Sequence, residues 1–263
     1  MNVIEQIAAR RRLDIAERRG RKPLEQLRSE VVELCEKPDC SIPSFRQALT
    51  VRGVSLICEA KKASPSKGLI CPDFPYLDIA RDYERGGAAA ISVLTEPEYF
   101  QGRDEYLQEI GREVTIPLLR KDFVVDEYQI YEARLLGASA VLLIVMLLDE
   151  TTLRRYLDIV AQVGMAALVE AHDEKEVETA LAAGAQIIGV NNRDLRTFEI
   201  DFSNTVRLRS LVPPEVLFVG ESGVQNRADV ESLESVGVDG VLIGERLMRA
   251  ADRVAAIHEL LGR

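Results

Sequence analysis

No run of about 18 or more uncharged apolar residues occurs in this chain of 263 residues, and its most apolar segment, Ala138 to Leu148, is far too short to span a bilayer. A signal-peptide core is also missing, because Glu5 and then Arg10, Arg11 and Arg12 interrupt the N-terminus before any apolar stretch develops. A soluble, cytoplasmic protein with no membrane partner is expected. Histidine is scarce: His172 and His258 are the only two, too few for a histidine-based triad or a polyhistidine metal site. The four cysteines, Cys35, Cys40, Cys58 and Cys71, show neither paired zinc spacing nor a secreted disulfide framework, and read as free or core-filling thiols. Positive charge is in deficit, with a formal net charge of -10. That argues against nonspecific nucleic-acid binding, which rests on neutralising phosphates, and it means that an anionic substrate needs a locally positive site.

Hydrophobic residues, at 47%, are ample for a core. Residues 1–50 look helical, with Ile4, Ile7, Ala8 and Ile15 at helical spacing, a break at Gly20, and a second segment after Pro23 carrying Leu24, Leu27, Val31 and Leu34 on one face. The arginines from Arg10 to Arg21 read as a solvated helix face. From Leu56 a different rhythm begins. Strands are expected over Leu56 to Lys61, Ala89 to Leu94, Ile116 to Lys121, Ala140 to Val145, Ala166 to Glu170, Ile187 to Asn191, Val216 to Glu221 and Gly240 to Ile243. Helical patterns follow, among them Tyr76 to Arg85, Asp126 to Leu136, Glu150 to Val163, Glu174 to Ala183, Arg227 to Val236 and Glu245 to Leu261, with Gly86, Gly137, Gly184 and Gly237 at expected C-caps. Eight βα units without a linker predict an α/β chain folded as a (β/α)8 TIM barrel, a single domain over residues 1–263 with residues 1–50 as an N-terminal helical extension. The rival doubly wound sheet, if it bound a dinucleotide, would need GxGxxG after its first strand, where this chain has KKASPSKG.

That first strand runs into Glu59, Lys61 and Lys62 before it breaks at Ser64, Pro65 and Gly68. Strand alternation puts Ile57, Glu59 and Lys61 on one face, so a carboxylate and an ammonium lie side by side, either as a structural ion pair or as part of an active site. The other strand ends repeat the parity, with Leu119 and Lys121, Leu168 and Glu170, Gly189 and Asn191, and Val219 and Glu221. Barrel catalytic residues come from these C-terminal ends. The candidate set is therefore Glu59, Lys61, Lys121, Glu170, Asn191, Arg193, Glu221 and Ser222. Three features suit a phosphate: GESG at Gly220 to Gly223, IGE at Ile243 to Glu245, and the hydroxyls of Ser64 and Ser66. Glu245 sits awkwardly there, since a carboxylate repels phosphate unless it points away.

The segments ICEAKKASPSKG, AISVLTEPEYFQG, IPLLRKDFVVDEYQIYEARLLGA, LVEAHDE, IGVNNRDL, GESGV and LIGERLM, in this order, closely resemble the indole-3-glycerol phosphate synthase family from Val54 to the C-terminus. The resemblance implies a carboxy-lyase of tryptophan biosynthesis, acting on 1-(2-carboxyphenylamino)-1-deoxyribulose 5-phosphate and releasing carbon dioxide and water without metal or organic cofactor. It implies Lys121 as the acid for ring closure, and Lys61 as a ligand of the substrate carboxylate or phosphate region and an acid in dehydration. Glu170 and Glu59 would orient the amine and accept protons, Asn191 would hold a hydroxyl or the carboxylate, and Arg193, Glu221 and Ser222 would support it. Phe100, Phe123 and Leu195 would line the anthranilate pocket, while Lys61, Ser64, Gly223, Gly244 and Glu245 would surround the phosphate. Arg103 and Asp104 depart from the small polar residues associated with their loop. The end at Arg263 leads to the expectation of a monofunctional enzyme, a monomer or weak homodimer whose partner is the phosphosugar-anthranilate substrate. The rivals are a Schiff-base aldolase using Lys61 or Lys121, a phosphoribosylanthranilate isomerase barrel, and a non-catalytic phosphosugar-binding protein.

Overall fold

The computed structural model describes residues 3–38, 40–51, 53–193 and 201–263. Its strands are β1 (Ser55–Ala60), β2 (Ala90–Leu94), β3 (Leu118–Lys121), β4 (Ala140–Ile144), β5 (Ala166–Ala171), β6 (Ile187–Asn191), β7 (Leu217–Glu221) and β8 (Gly240–Ile243). Each pairs in parallel with its neighbours in sequence, and β8 returns to β1, closing the barrel. These bounds fall within two residues of those expected from the sequence. Two-sided burial explains the apolar runs. Ile57, Leu119, Leu168, Ile187, Val219 and Leu242 fill the interior, while Cys58, Ile91, Val141, Val169, Ile188 and Phe218 face the helices. The interior set has the parity of Glu59, Lys121, Glu170, Asn191 and Glu221, so those side chains continue the barrel lining upward. Register then sets Ile144 beside Glu170, Glu170 beside Gly189, and Asn191 beside Glu221.

The helices are α1 (Val3–Arg21), α2 (Leu24–Cys35), α3 (Phe45–Ala48), α4 (Tyr76–Gly86), α5 (Asp104–Glu113), α6 (Tyr128–Leu135), α7 (Glu150–Gln162), α8 (Glu174–Ala183), α9 (Ser203–Arg209), α10 (Arg227–Ser235), α11 (Glu245–Met248) and α12 (Arg253–Leu261). Caps fix where several of them start. Asp149 accepts from Thr152 N, Asp173 from Glu176 N, and Asn226 forms a capping box with Asp229. The expected continuous helix from Glu245 to Leu261 is two helices, because Asp252 caps a fresh start at Arg253. Gly87, rather than Gly86, takes the left-handed C-cap of α4, and Gly86 lies flat against Ile257 where α4 and α12 touch.

The N-terminal helices serve both ends of the barrel. Ile4 and Ile7 of α1 reach the cavity at the C-terminal mouth, while Leu49, following α3, packs by Gly240 at the opposite end, where Ser55 Oγ also donates to Ala48 O at 3.1 Å. Arg10, Arg12 and Arg21 of α1 are exposed, as a solvated face requires, but Arg11 and Arg18 are not part of one. Arg11 is fully buried and its Nη2 donates to the equally buried Asp122 at 2.7 Å. Arg18 reaches Asp104 and, at 2.7 Å, Glu132, both of which also bind the buried Arg120 of β3, at 2.8 and 2.7 Å. Asp104 is thus the joint between α1 and the barrel wall. The charge run looked like surface because the acidic partners of Arg11 and Arg18 lie 86 to 114 residues away in sequence.

Candidate active site

Lys121 ends β3 with its ammonium inside a cavity of about 710 Å³ at the barrel mouth. Nζ donates to Glu170 Oε2 at 2.8 Å and to Glu221 Oε2 at 3.1 Å. Both carboxylates are only 2% exposed, and Lys121 itself is 14% exposed. Gly189 makes room for this packing, since a Cβ there would stand 2.3 Å from Glu221 Oε1. Burial works against the lysine charge, but Glu170, Glu221 and Glu59 outweigh it and hold its pKa above the ordinary lysine value.

The two carboxylates respond to that shared cation differently. Burial pushes Glu170 toward the neutral form, yet Lys121 and then His172 overcome it, so Glu170 titrates below the usual carboxylate range. Lys121 is the one cation that acts on Glu221 among the described residues. Burial, with Glu170 and Glu59 adding repulsion, pushes it up to about 7 against the pull of Lys121. Of the two, Glu170 is the one held ionised and Glu221 the one shifted toward its protonated form.

Lys61, just beyond β1, donates to Glu59 Oε1 at 2.5 Å, and the pair rests on Gly244, where a Cβ would stand 2.4 Å from that oxygen. Ser64 follows in a short hairpin of Ala63–Ser64 with Gly68–Leu69. Lys61, Ser64, Gly223, Gly244 and Glu245 all border the cavity, at the end where β7 and β8 finish. The Glu245 carboxylate is occupied by Arg249 at 3.2 Å and Lys67 at 3.7 Å, which answers its awkward placement.

Opposite, Asn191 bridges the groups around Glu170. Its Nδ2 lies 3.3 Å from Glu170 Oε1, and its Oδ1 accepts from Arg193 N and from Ser222 Oγ, both at 3.0 Å. Ser222 holds a left-handed backbone, φ 66°, pinned by Asn192 Nδ2 donating to its carbonyl. Phe100 and Phe123 face the cavity as a tilted pair with centroids 6.1 Å apart. Leu195 lies outside the described residues. Sequence reasoning passed over Val3, Ile4, Ile7, Gln225, Arg246 and Arg249, which also line the cavity. It passed over His172 too, although Glu170 and His172 share a strand face by their spacing of two.

Charge arranged in this way at the mouth of a parallel barrel belongs to the (β/α)8 enzymes that move protons on small substrates. The sequence model of the indole-3-glycerol phosphate synthase family matches residues 4–260, and the chain belongs to that family. The indole-3-glycerol phosphate synthase of Ruminiclostridium cellulolyticum is 49% identical over 260 residues, covering 99% of both chains. That of Endomicrobium trichonymphae is 55% identical over 217 residues, covering 82% of this chain and 84% of its own. Among solved structures the barrel is shared with 3-hexulose-6-phosphate synthase from Salmonella typhimurium at a TM-score of 0.64 and 15% identity, over 79% of this chain and 96% of that one. A tryptophan synthase alpha-subunit from Pyrococcus furiosus gives 0.59 at 14% identity, over 80% and 98%. At such identities these two likenesses concern the fold alone.

Proposed function

We propose that the chain converts 1-(2-carboxyphenylamino)-1-deoxyribulose 5-phosphate into indole-3-glycerol phosphate, carbon dioxide and water by acid-base catalysis. The observation that carries this reading is the Lys121 ammonium held between Glu170 and Glu221 in a cavity that also contains the Lys61–Glu59 pair. Ring closure requires the aromatic carbon that bears the carboxylate to attack the ribulose carbonyl, whose oxygen must gain a proton as the bond forms. Lys121 supplies that proton. The C–C bond to the carboxylate then breaks, carbon dioxide leaves, and its electron pair restores the aromatic ring. In the last step the new hydroxyl takes a proton from Lys61 and departs as water, while Glu170, with Glu59, accepts the proton released as the indole double bond forms.

The remaining groups hold the substrate. Phe100 and Phe123 sandwich or edge the anthranilate ring, Asn191, Arg193, Glu221 and Ser222 orient its polar groups, and Lys61, Ser64 and the backbone at Gly223 and Gly244 receive the phosphate. The electrostatics favour this chemistry over a Schiff-base aldolase. An amine nucleophile must be neutral, which calls for a lowered pKa, whereas three carboxylates keep Lys121 charged. The test is to incubate the purified protein with the substrate in EDTA and follow indole fluorescence; steady product formation supports the reading, and none in the presence of intact fold refutes it.

A further inference from the structure

His172 lies just past the end of β5, beside Glu170, and no step above uses it. One ring nitrogen is hydrogen-bonded and the other faces a carboxylate. Nδ1 sits 3.0 Å from Glu176 Oε2 in the first turn of α8, and the same oxygen accepts the His172 backbone N–H at 2.9 Å. Nε2 stands 3.3 Å from Glu170 Oε1, in ion-pair range but off the axis of a good hydrogen bond. Asn204 of α9 holds the His172 carbonyl at 3.1 Å. An ionised carboxylate only accepts hydrogen bonds, so a ring whose two nitrogens each face one carries hydrogen on both. A neutral imidazole would set a lone pair against one of the two acids.

The other charges around this pair are accounted for among the described residues. Lys121 of β3 takes Glu170 Oε2, Asn191 of β6 approaches Oε1, Glu221 of β7 shares the lysine, and Glu174 at the start of α8 is engaged by Arg207 of α9. Glu170 therefore lies between two cations, and Glu221 touches one. Resting on the reaction proposed above, we propose that His172, anchored by Glu176, is a positioning residue that holds Glu170 ionised and turned so that one oxygen meets Lys121. It assigns the role of proton acceptor to one of two carboxylates that would otherwise compete for a single lysine. The titration of the groups agrees: His172 is pushed up to about 10, because Glu170 and Glu176 outweigh the effect of burial.

The scarcity of histidine makes the test direct. With only His172 and His258 in the chain, a His258→Gln background leaves one imidazole to follow by NMR. The ring of His172 stays protonated beyond pH 8, and its midpoint falls by about one unit or more in Glu176→Gln and in Glu170→Gln. A ring that is neutral at pH 8, or a midpoint indifferent to Glu170→Gln, overturns the proposal. In turnover, His172→Gln lowers kcat about tenfold, the equivalent of one pKa unit, with KM within about threefold. Placed on Glu170→Gln, the same substitution costs less than about twofold more, because it acts through the missing carboxylate. Equal losses in both backgrounds indicate a packing role and overturn it. A wild-type protein that forms no indole would refute the reaction instead, and the ring titration would still decide whether His172 is coupled to Glu170.

Discussion

Replacing Lys121 by alanine separates chemistry from folding, because this residue serves both. A positioned general acid contributes about 10² to 10⁴ in rate, roughly 3 to 5 kcal/mol of barrier, so kcat of Lys121→Ala falls by at least about a hundredfold. The substitution also strands Glu170 and Glu221, each 2% exposed. Breaking a buried ion pair costs about 3 to 5 kcal/mol. The cost falls at the lower end here, since His172 still faces Glu170 and Glu221 can take up a proton. The sign of the pH dependence follows. A carboxyl whose folded pKa lies above its unfolded value of about 4.3 loses stability as pH rises from that value to the folded one. Without the lysine Glu221 rises further, so the variant lies closer to the wild type in urea unfolding at pH 5.5 than at pH 8. Indole fluorescence and urea melts at the two pH values check both parts. Turnover within about threefold of wild type removes Lys121 from the mechanism, and a stability deficit that grows toward acid pH contradicts the charge argument.

With Glu221 pushed up to about 7, kcat/KM is expected to fall on the acid side of neutrality as its carboxylate is protonated and releases Lys121; in Glu221→Gln a profile from pH 5.5 to 9 loses that limb. Arg11→Met leaves the buried Asp122 with Thr95 at 3.0 Å and Arg120 at 3.6 Å, so urea unfolding shows a loss of about 3 kcal/mol; a loss below about 1 kcal/mol contradicts a structural role for the α1 seam. Ser222→Gly relieves a left-handed residue and gains about 1 kcal/mol in melting free energy, while kcat falls because Asn191 loses its hydroxyl donor. An unchanged kcat would remove Ser222 from the site.

The barrel was legible because its signal is local. Each strand announces itself in a run of about five apolar residues ending at a charged or polar one, and the period of two tells which side chains enter the mouth. That parity alone brought Glu59, Lys121, Glu170, Asn191 and Glu221 into one cavity. What escaped depends on distant partners. Nothing within α1 reveals that Ile4 and Ile7 roof the mouth, or that Arg11 finds Asp122 across 111 positions. The split between α11 and α12 was hidden because Arg249, Ala250 and Ala251 are good helix formers, while Asp252 is read as a cap only once Ala255 N is seen donating to it. His172 was set aside on a count of histidines, a criterion for triads and metals that says nothing about a single ring bracing a carboxylate.

The most direct measurement uses substrate labelled in the carboxylate carbon, with carbon dioxide and indole fluorescence recorded in the same reaction. One labelled carbon dioxide per indole formed, with both signals lost together in Lys121→Ala, is the expected result. Indole-free release of the label, or a lysine trapped irreversibly by borohydride in the presence of substrate, would contradict acid-base ring closure at Lys121.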